Sequence, residues 1–169
     1  MKEIFAMMAG YNQWANARLY KTACALTREQ YRTNRGAFFG SMHGTLNHLL
    51  VADRVWMRRF TGEGPQPRSL DEILFDELAD LTRARQAEDT RIIDYVDGLT
   101  EESLAARFTY RTMTAPQDIT QPLAPALMHV FNHQTHHRGQ AHCLLTEITG
   151  DAPSFDLILY QRGSGLGMN

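Results

Sequence analysis

The sequence predicts an all-α protein, a four-helix bundle with a long excursion between its third and fourth helices. Two observations carry that prediction. Long segments place apolar residues at alternating spacings of three and four, the period of one helix face. The six prolines, Pro65, Pro67, Pro116, Pro122, Pro125 and Pro153, fall outside the long periodic runs and punctuate between helices. The 169 residues are 43% hydrophobic and 21% charged. That is enough apolar side chain for one core, so residues 1–169 are read as a single domain.

The first helix is expected over residues 2–26, with Phe5, Met8, Asn12, Ala15, Leu19, Thr22 and Leu26 on one face. Thr27-Arg28-Glu29-Gln30 has the form of a capping box, the threonine capping while the glutamine reaches back, and starts a separate short turn. Ser41 is the expected cap of a second long helix over 42–61, whose inward stripe is Met42, Leu46, Leu49, Asp53, Trp56 and Phe60, one carboxylate interrupting it. Gly62, Gly64, Pro65 and Pro67 end that helix. Ser69-Leu70-Asp71-Glu72 reads as another capping box, opening a third helix over 70–97 whose polar centre, Thr82 to Arg91, is expected to be a solvated face. After Gly98 a short helical turn starts at Glu101, and the β-branched and aromatic content of 107–113 and 118–120 around Pro116 suggests a small hairpin. Pro122 to Pro125 opens the last long helix, which runs to Thr149 and stops at Gly150, and the tail after Pro153 is expected to pack across its end.

Charge excludes one class of partner. Seventeen Lys plus Arg against nineteen Asp plus Glu leave −2, so no field exists to hold nucleic acid by counterion release. The apolar stretch at the start, broken by Gly10 and Tyr11-Asn12-Gln13, is too short for a signal peptide or a membrane span, and the expected location is the cytoplasm. Cys24 and Cys143 are the two cysteines, which fits reduced thiols better than a disulfide framework.

The most informative segment is Met128 to Gln140, which holds His129, His133, His136 and His137, four histidines in nine residues of one helix. The helix's apolar stripe runs Ala126, Val130, His133, His137, Ala141, Leu144, Ile148, so His133 and His137 stand at core positions. Two imidazoles one turn apart point the same way and can reach one metal ion. The bland alternative is a pair of core histidines satisfied by neighbouring carbonyls. A third ligand is available on the second helix from His43 or His48, which lie about 140° apart on the helical wheel and cannot both serve one site. Asp53, five positions after His48, is either the partner of a buried arginine or a group that orients a ligand histidine.

Spacing excludes several metal chemistries. A zinc protease needs His-Glu-x-x-His, and Gln134 follows His133. No histidine has a glutamate three residues before it, as a carboxylate-bridged di-iron bundle requires, and no Cys-x-x-Cys is present for a structural zinc.

Three segments together form a pattern: Tyr11-Asn12-Gln13-Trp14-Ala15-Asn16, then Gly44 to Trp56, then Asn132 to Gln140. They resemble the DinB family of bacterial helical bundles, in the first, second and fourth helices and over nearly the whole chain. The resemblance implies a four-helix bundle with a divalent ion, zinc or nickel, on three histidines, which carry over to His48, His133 and His137. It also implies homodimers. Relatives with assigned chemistry look like metal-dependent transferases that join low-molecular-weight thiols such as bacillithiol to electrophiles, or isomerases that use mycothiol. The family name records induction by DNA damage and does not imply DNA binding.

Three imidazoles leave a coordination position open. There an ion can hold a small-molecule thiol as thiolate for transfer, or lower the pKa of a water for hydrolysis. No general base stands out, and the catalytic residues are left unassigned. Arg138 and Gln140 flank the ligand turn, Arg138 being expected in salt-bridged packing. Tyr11, Trp14 and Trp56 are candidate pocket residues more typical of a core, and Cys143 is expected to be buried and inert. The reading from another class is a non-catalytic metal-binding or sensing module, which predicts a fourth protein ligand, His129 or His136.

Overall fold

A computed structural model describes residues 1–168. Four long helices dominate: α1 (Lys2–Ala23), α3 (Met42–Thr61), α4 (Leu78–Asp97) and α6 (Leu123–Thr149). Three short ones, α2 (Arg28–Arg32), α5 (Glu101–Ala105) and α7 (Leu157–Ser164), fill connections and tail, and β1 (Arg107–Arg111) pairs antiparallel with β2 (Asp118–Pro122). The predicted caps are in place. Ser41 accepts from Gly44 N at 3.1 Å to start α3, the Thr27/Gln30 box starts α2, and Gly62 and Gly150 end α3 and α6 in the left-handed conformation at φ 77 and 79. Among the described residues no helix is long and apolar enough to cross a membrane.

Three expectations about helix ends and the tail are corrected. The first long helix ends at Ala23 rather than residue 26, because the amides of Ala25 and Leu26 already turn back to the carbonyls of Thr22 and Ala23. The third begins at Leu78 rather than 70. The Asn47 side chain takes the backbone N–H groups of both Leu74 and Phe75 (2.9 and 3.0 Å) and donates to the Phe75 carbonyl (3.2 Å), pinning residues 70–75 along α3 as a strap. Ser69 bonds Asp71 within a turn instead of capping a helix. The tail lies against the side of α1, not across the bundle end: Tyr11 donates to the Phe155 carbonyl at 2.6 Å, and Tyr160 packs on Tyr11 and Trp14.

In the bundle α1 lies between α4 and α6, and α3 lies between the same two on the other side. The apolar core falls into two clusters. One gathers Leu19, Leu46, Leu50, Leu81 and Leu145; the other gathers Phe5, Met57, Ile92, Val96, Leu127 and Phe131. Between these clusters each of the four helices contributes buried polar side chains, which corrects the expectation of a solvated centre for α4 at Arg85, Glu88 and Asp89. Arg85, Glu88 and Asp89 are at most 5% exposed. Arg85 pairs with Asp53 at 2.7 Å and Asp89 at 3.0 Å, Asn12 and Asn16 donate to Asp89, and Arg138 donates to both asparagine carbonyls. Gln134 closes the layer by donating to Asp53 at 2.6 Å. The four helices are thus cross-linked at mid-height by charges and amides that have few other partners in reach.

Candidate metal centre

His48 sits nearly two turns into α3, and its ring is fixed from two sides. Its Nδ1 donates to the Leu70 carbonyl at 2.7 Å, which makes the strap the support of the imidazole. The Phe39 ring stacks on it at 3.7 Å between centroids and 17° between planes. With Nδ1 protonated, Nε2 carries the free lone pair, and that atom is buried with no hydrogen-bond partner. His137 is arranged in the same sense: its Nδ1 donates to Gln140 Oε1 at 2.8 Å, and the Gln140 amide donates in turn to His136 Nε2 at 3.2 Å. His133 stands one turn before it, with ring centroids 4.3 Å apart. The ligand atoms offered by His48, His133 and His137 all lie within 4.8 Å of one another. A buried lone pair without a donor and outer nitrogens tied to acceptors are the arrangement in which imidazoles accept a metal.

Electrostatics favours the same state. Burial pushes His48 down to about 4, against the pull of the Leu70 carbonyl, and pushes His133 down to about 3 with help from the neighbouring imidazoles. Both are neutral at neutral pH, as metal ligation requires. The sign for stability follows. Each folded pKa lies below the ordinary 6.5, so between those values the unfolded chain binds protons the folded one refuses. Stability is therefore full above pH 6.5 and is lost as pH falls toward the folded values. Asp53, pushed up to about 6 by burial despite Arg85, works in the opposite sense over the same range. The contribution of one imidazole is isolated by comparing the metal-free wild type with His133→Gln. The wild type should lose more of its urea midpoint between pH 7 and pH 5 than the variant does, and equal losses would contradict the shift.

The three histidines stand on a cavity of about 640 Å³ walled by Phe38, Phe39, Leu70 and Met113, with Arg68, Asp71, His136 and Gln140 also lining it. Apart from the histidines and Gln140, these residues come from connections between helices, and sequence patterns gave little sign of them. The one cue for Phe39 is an aromatic pair between two glycines, Gly36 and Gly40. Gly44 is part of the same support. A Cβ there would run into the Phe39 carbonyl, a backbone atom with little freedom to move. Gly44→Ala should therefore cost about 1–3 kcal/mol by overpacking and unseat Phe39 from His48, read as a lower melting temperature and a loss of metal affinity together. Gln140→Leu, which removes the acceptor on His137, should weaken metal binding by about 10–100-fold with the fold unchanged, as a competition titration with a chromogenic chelator would report.

Other candidates lie elsewhere. His43 bonds the Phe75 carbonyl at 3.1 Å and packs edge-on against Tyr31, outside the cluster. Asp53 is the partner of a buried arginine and orients no ligand histidine. Arg138 is buried under Tyr11 and bonds Asn12 and Asn16 instead of facing the cavity. Tyr11, Trp14 and Trp56 are not among the lining residues. Cys143 is exposed rather than buried, and it too lies away from the histidines. In the turn that carries the histidines, Gln134 and Arg138 are more buried than His133 and His137, so at that level the stripe leaves the core centre and opens to the cavity. Among the described residues neither His129, which packs on Trp56, nor His136 joins the cluster as a fourth ligand.

The profile of the DinB family matches residues 1–165. The chain belongs to the DinB family. It is 26% identical over 160 residues to Protein DinB of Bacillus subtilis (strain 168), covering 89% of each sequence. The DinB-family fold is also similar to the crystal structure of a conserved protein from Enterococcus faecalis, with a TM-score of 0.65 and 15% identity over 85% of this chain and 96% of the other.

Proposed function

We propose that His48, His133 and His137 hold one divalent ion, zinc or nickel, and that the chain is a metal-dependent enzyme transferring a low-molecular-weight thiol to a small electrophile. One observation carries this reading. Three neutral imidazoles converge at the wall of a cavity of about 640 Å³, without a fourth protein ligand among the described residues. A structural zinc site closes its coordination shell with protein, whereas an open position facing a cavity suits a substrate. A divalent ion so placed would supply Lewis acidity, keeping a coordinated thiol deprotonated at neutral pH.

The chain's own residues do the rest. The Leu70 carbonyl and Gln140 hold the imidazoles of His48 and His137 by their outer nitrogens and raise their basicity as ligands. Phe38, Phe39, Leu70 and Met113 give the cavity apolar walls that limit water, and Arg68 and His136 offer donors to the polar body of a thiol. Nucleophilic attack by a thiolate requires no general base, and among the described residues no carboxylate is hydrogen-bonded to the three histidines. A hydrolytic reading draws on one observation, the carboxylate of Asp71 in the cavity lining, which is the group that would take a proton from water.

Elemental analysis of untagged protein, wild type and His133→Ala/His137→Ala, tests the site. One equivalent of metal lost in the variant with helical signal intact supports it, and a wild type that neither carries nor takes up zinc or nickel overturns it. Cobalt-substituted protein titrated with thiols tests the chemistry. A new sulfur-to-metal charge-transfer band together with thiol consumption on adding an electrophile supports transfer. No band, with ester hydrolysis that is lost in Asp71→Asn, replaces transfer by hydrolysis.

A further inference from the structure

Beside the metal-site cavity lies a smaller one of about 270 Å³, and Met113 lines both. Its walls come from the last two turns of α3, from β1 and the turn after it, and from the chain after Gly64. Three of the lining residues are arginines, Arg58, Arg59 and Arg111, and no acidic side chain is among them. Val55, Pro67 and Met113 make the wall apolar around those charges.

Arg59 is the centre of the arrangement. Its guanidinium carbon lies 4.4 Å from the Trp56 ring centroid and 4.7 Å from that of Tyr110, so it rests against a pair of rings that themselves meet edge to face at 5.1 Å. One of its N–H groups reaches the Arg111 carbonyl at 3.2 Å. No carboxylate among the described residues comes within ion-pair distance of Arg59 or Arg58, whose side chain is held instead by the Gly64 carbonyl at 2.7 Å. Arg111 does pair with Asp118, at 3.1 Å, but both side chains are more than 60% exposed, and such a pair contributes little. Elsewhere in this protein a sheltered arginine is matched by acid or amide: Arg85 by Asp53 and Asp89, Arg54 by Glu88, Arg138 by two asparagines. Arg58 and Arg59, both half-buried, have no such match, and at Arg59 burial lowers the pKa without a carboxylate to restore it.

A half-buried guanidinium in a cavity without a carboxylate keeps its positive charge uncompensated and its remaining N–H donors open to a ligand. Its planar fork suits an oxyanion in two-point contact, and the size of the cavity restricts that ligand to a few heavy atoms. We propose that this cavity is a binding site for a small oxyanion, a phosphate or carboxylate group, held by Arg58 and Arg59 with Arg111 at the rim. The site requires no ion at the histidines.

Calorimetric titration of the full chain with inorganic phosphate, and separately with malonate, tests this against sodium chloride at matched ionic strength. The titrations are run in wild type and in the His133→Ala/His137→Ala background, which removes any anion bound through a metal. Saturable binding of either anion in both backgrounds, weakened about tenfold or more in Arg59→Met and in Arg58→Met and unchanged in Arg83→Met on an exposed face, is the expected result. The two arms distinguish a phosphoryl from a carboxylate ligand. If Arg59→Met loses its helical signal, Arg58→Met decides alone. The proposal is overturned by no binding beyond that of chloride, by binding confined to the metal-competent background, by equal weakening in Arg83→Met, or by affinity untouched in the folded arginine variants.

Discussion

Arg85→Met should lower the unfolding free energy by about 3–5 kcal/mol, a large share of the roughly 5–15 kcal/mol available to a domain of this size. Arg85 is 1% exposed and faces Asp53 and Asp89 at once. Its removal leaves two carboxylates in the core with only Gln134, Asn12 and Asn16 as donors. Methionine keeps most of the side-chain volume, so the loss reports charge rather than a cavity. Urea denaturation followed by circular dichroism gives the number. Arg83→Met, two residues away on the same helix and exposed, should stay within about 0.5 kcal/mol of wild type. A comparable loss at both positions would mean that the buried layer is not what holds the bundle. Replacing Asp53, Arg85 and Asp89 together by apolar residues should recover only part of the loss, because Arg138 is then left buried without the carboxylates that face it.

The second large effect is on metal. His48→Ala or His133→Ala should each reduce affinity for zinc or nickel by roughly three orders of magnitude, a quarter to a third of the free energy with which a fully protein-ligated zinc site binds. Helical content should remain, since α3 and α6 pack through Leu46, Leu49, Leu50, Leu127 and Leu145 independently of the imidazoles. His43→Ala and His129→Ala should leave affinity unchanged, as neither belongs to the cluster. Competition with a chelator of known affinity measures all four. A drop at His43 equal to that at His48 would be incompatible with the geometry, in which His43 is turned to the Phe75 carbonyl.

The helices and their ends could be read from residue order because they depend on local chemistry: Ser41, Thr27, Gly62 and Gly150 act within a turn of themselves. The same locality explains the error at residues 69–72. Ser69 and Glu72 have the pattern of a cap, but Asn47, more than twenty positions earlier, competes for the backbone of Leu74 and Phe75 and wins. The polar run on α4 departs from a solvated face for a related reason. Arg85 and Asp89 resemble a solvated pair at i, i+4 until Asp53, Asn12 and Asn16 arrive from other helices. At the candidate site, the spacing of His133 and His137 suggested a shared ligand face, whereas selecting His48 over His43 needed the family resemblance. Phe39, Leu70 and Met113 reach the cavity from connections whose course no periodicity encodes.

The division of labour between helices and connections has a consequence for inheritance. The three histidines come from α3 and α6, two neighbours in the bundle, while the apolar walls of the cavity come from the chain around Phe38, the strap at Leu70 and the hairpin turn at Met113. Connections accept substitution and changes of length far more readily than packed helices do. A lineage carrying this bundle can therefore exchange what fits above the histidines while leaving the histidines themselves in register. Descendants alike in their imidazoles and different in these three connections would be expected to diverge in substrate before they diverge in metal.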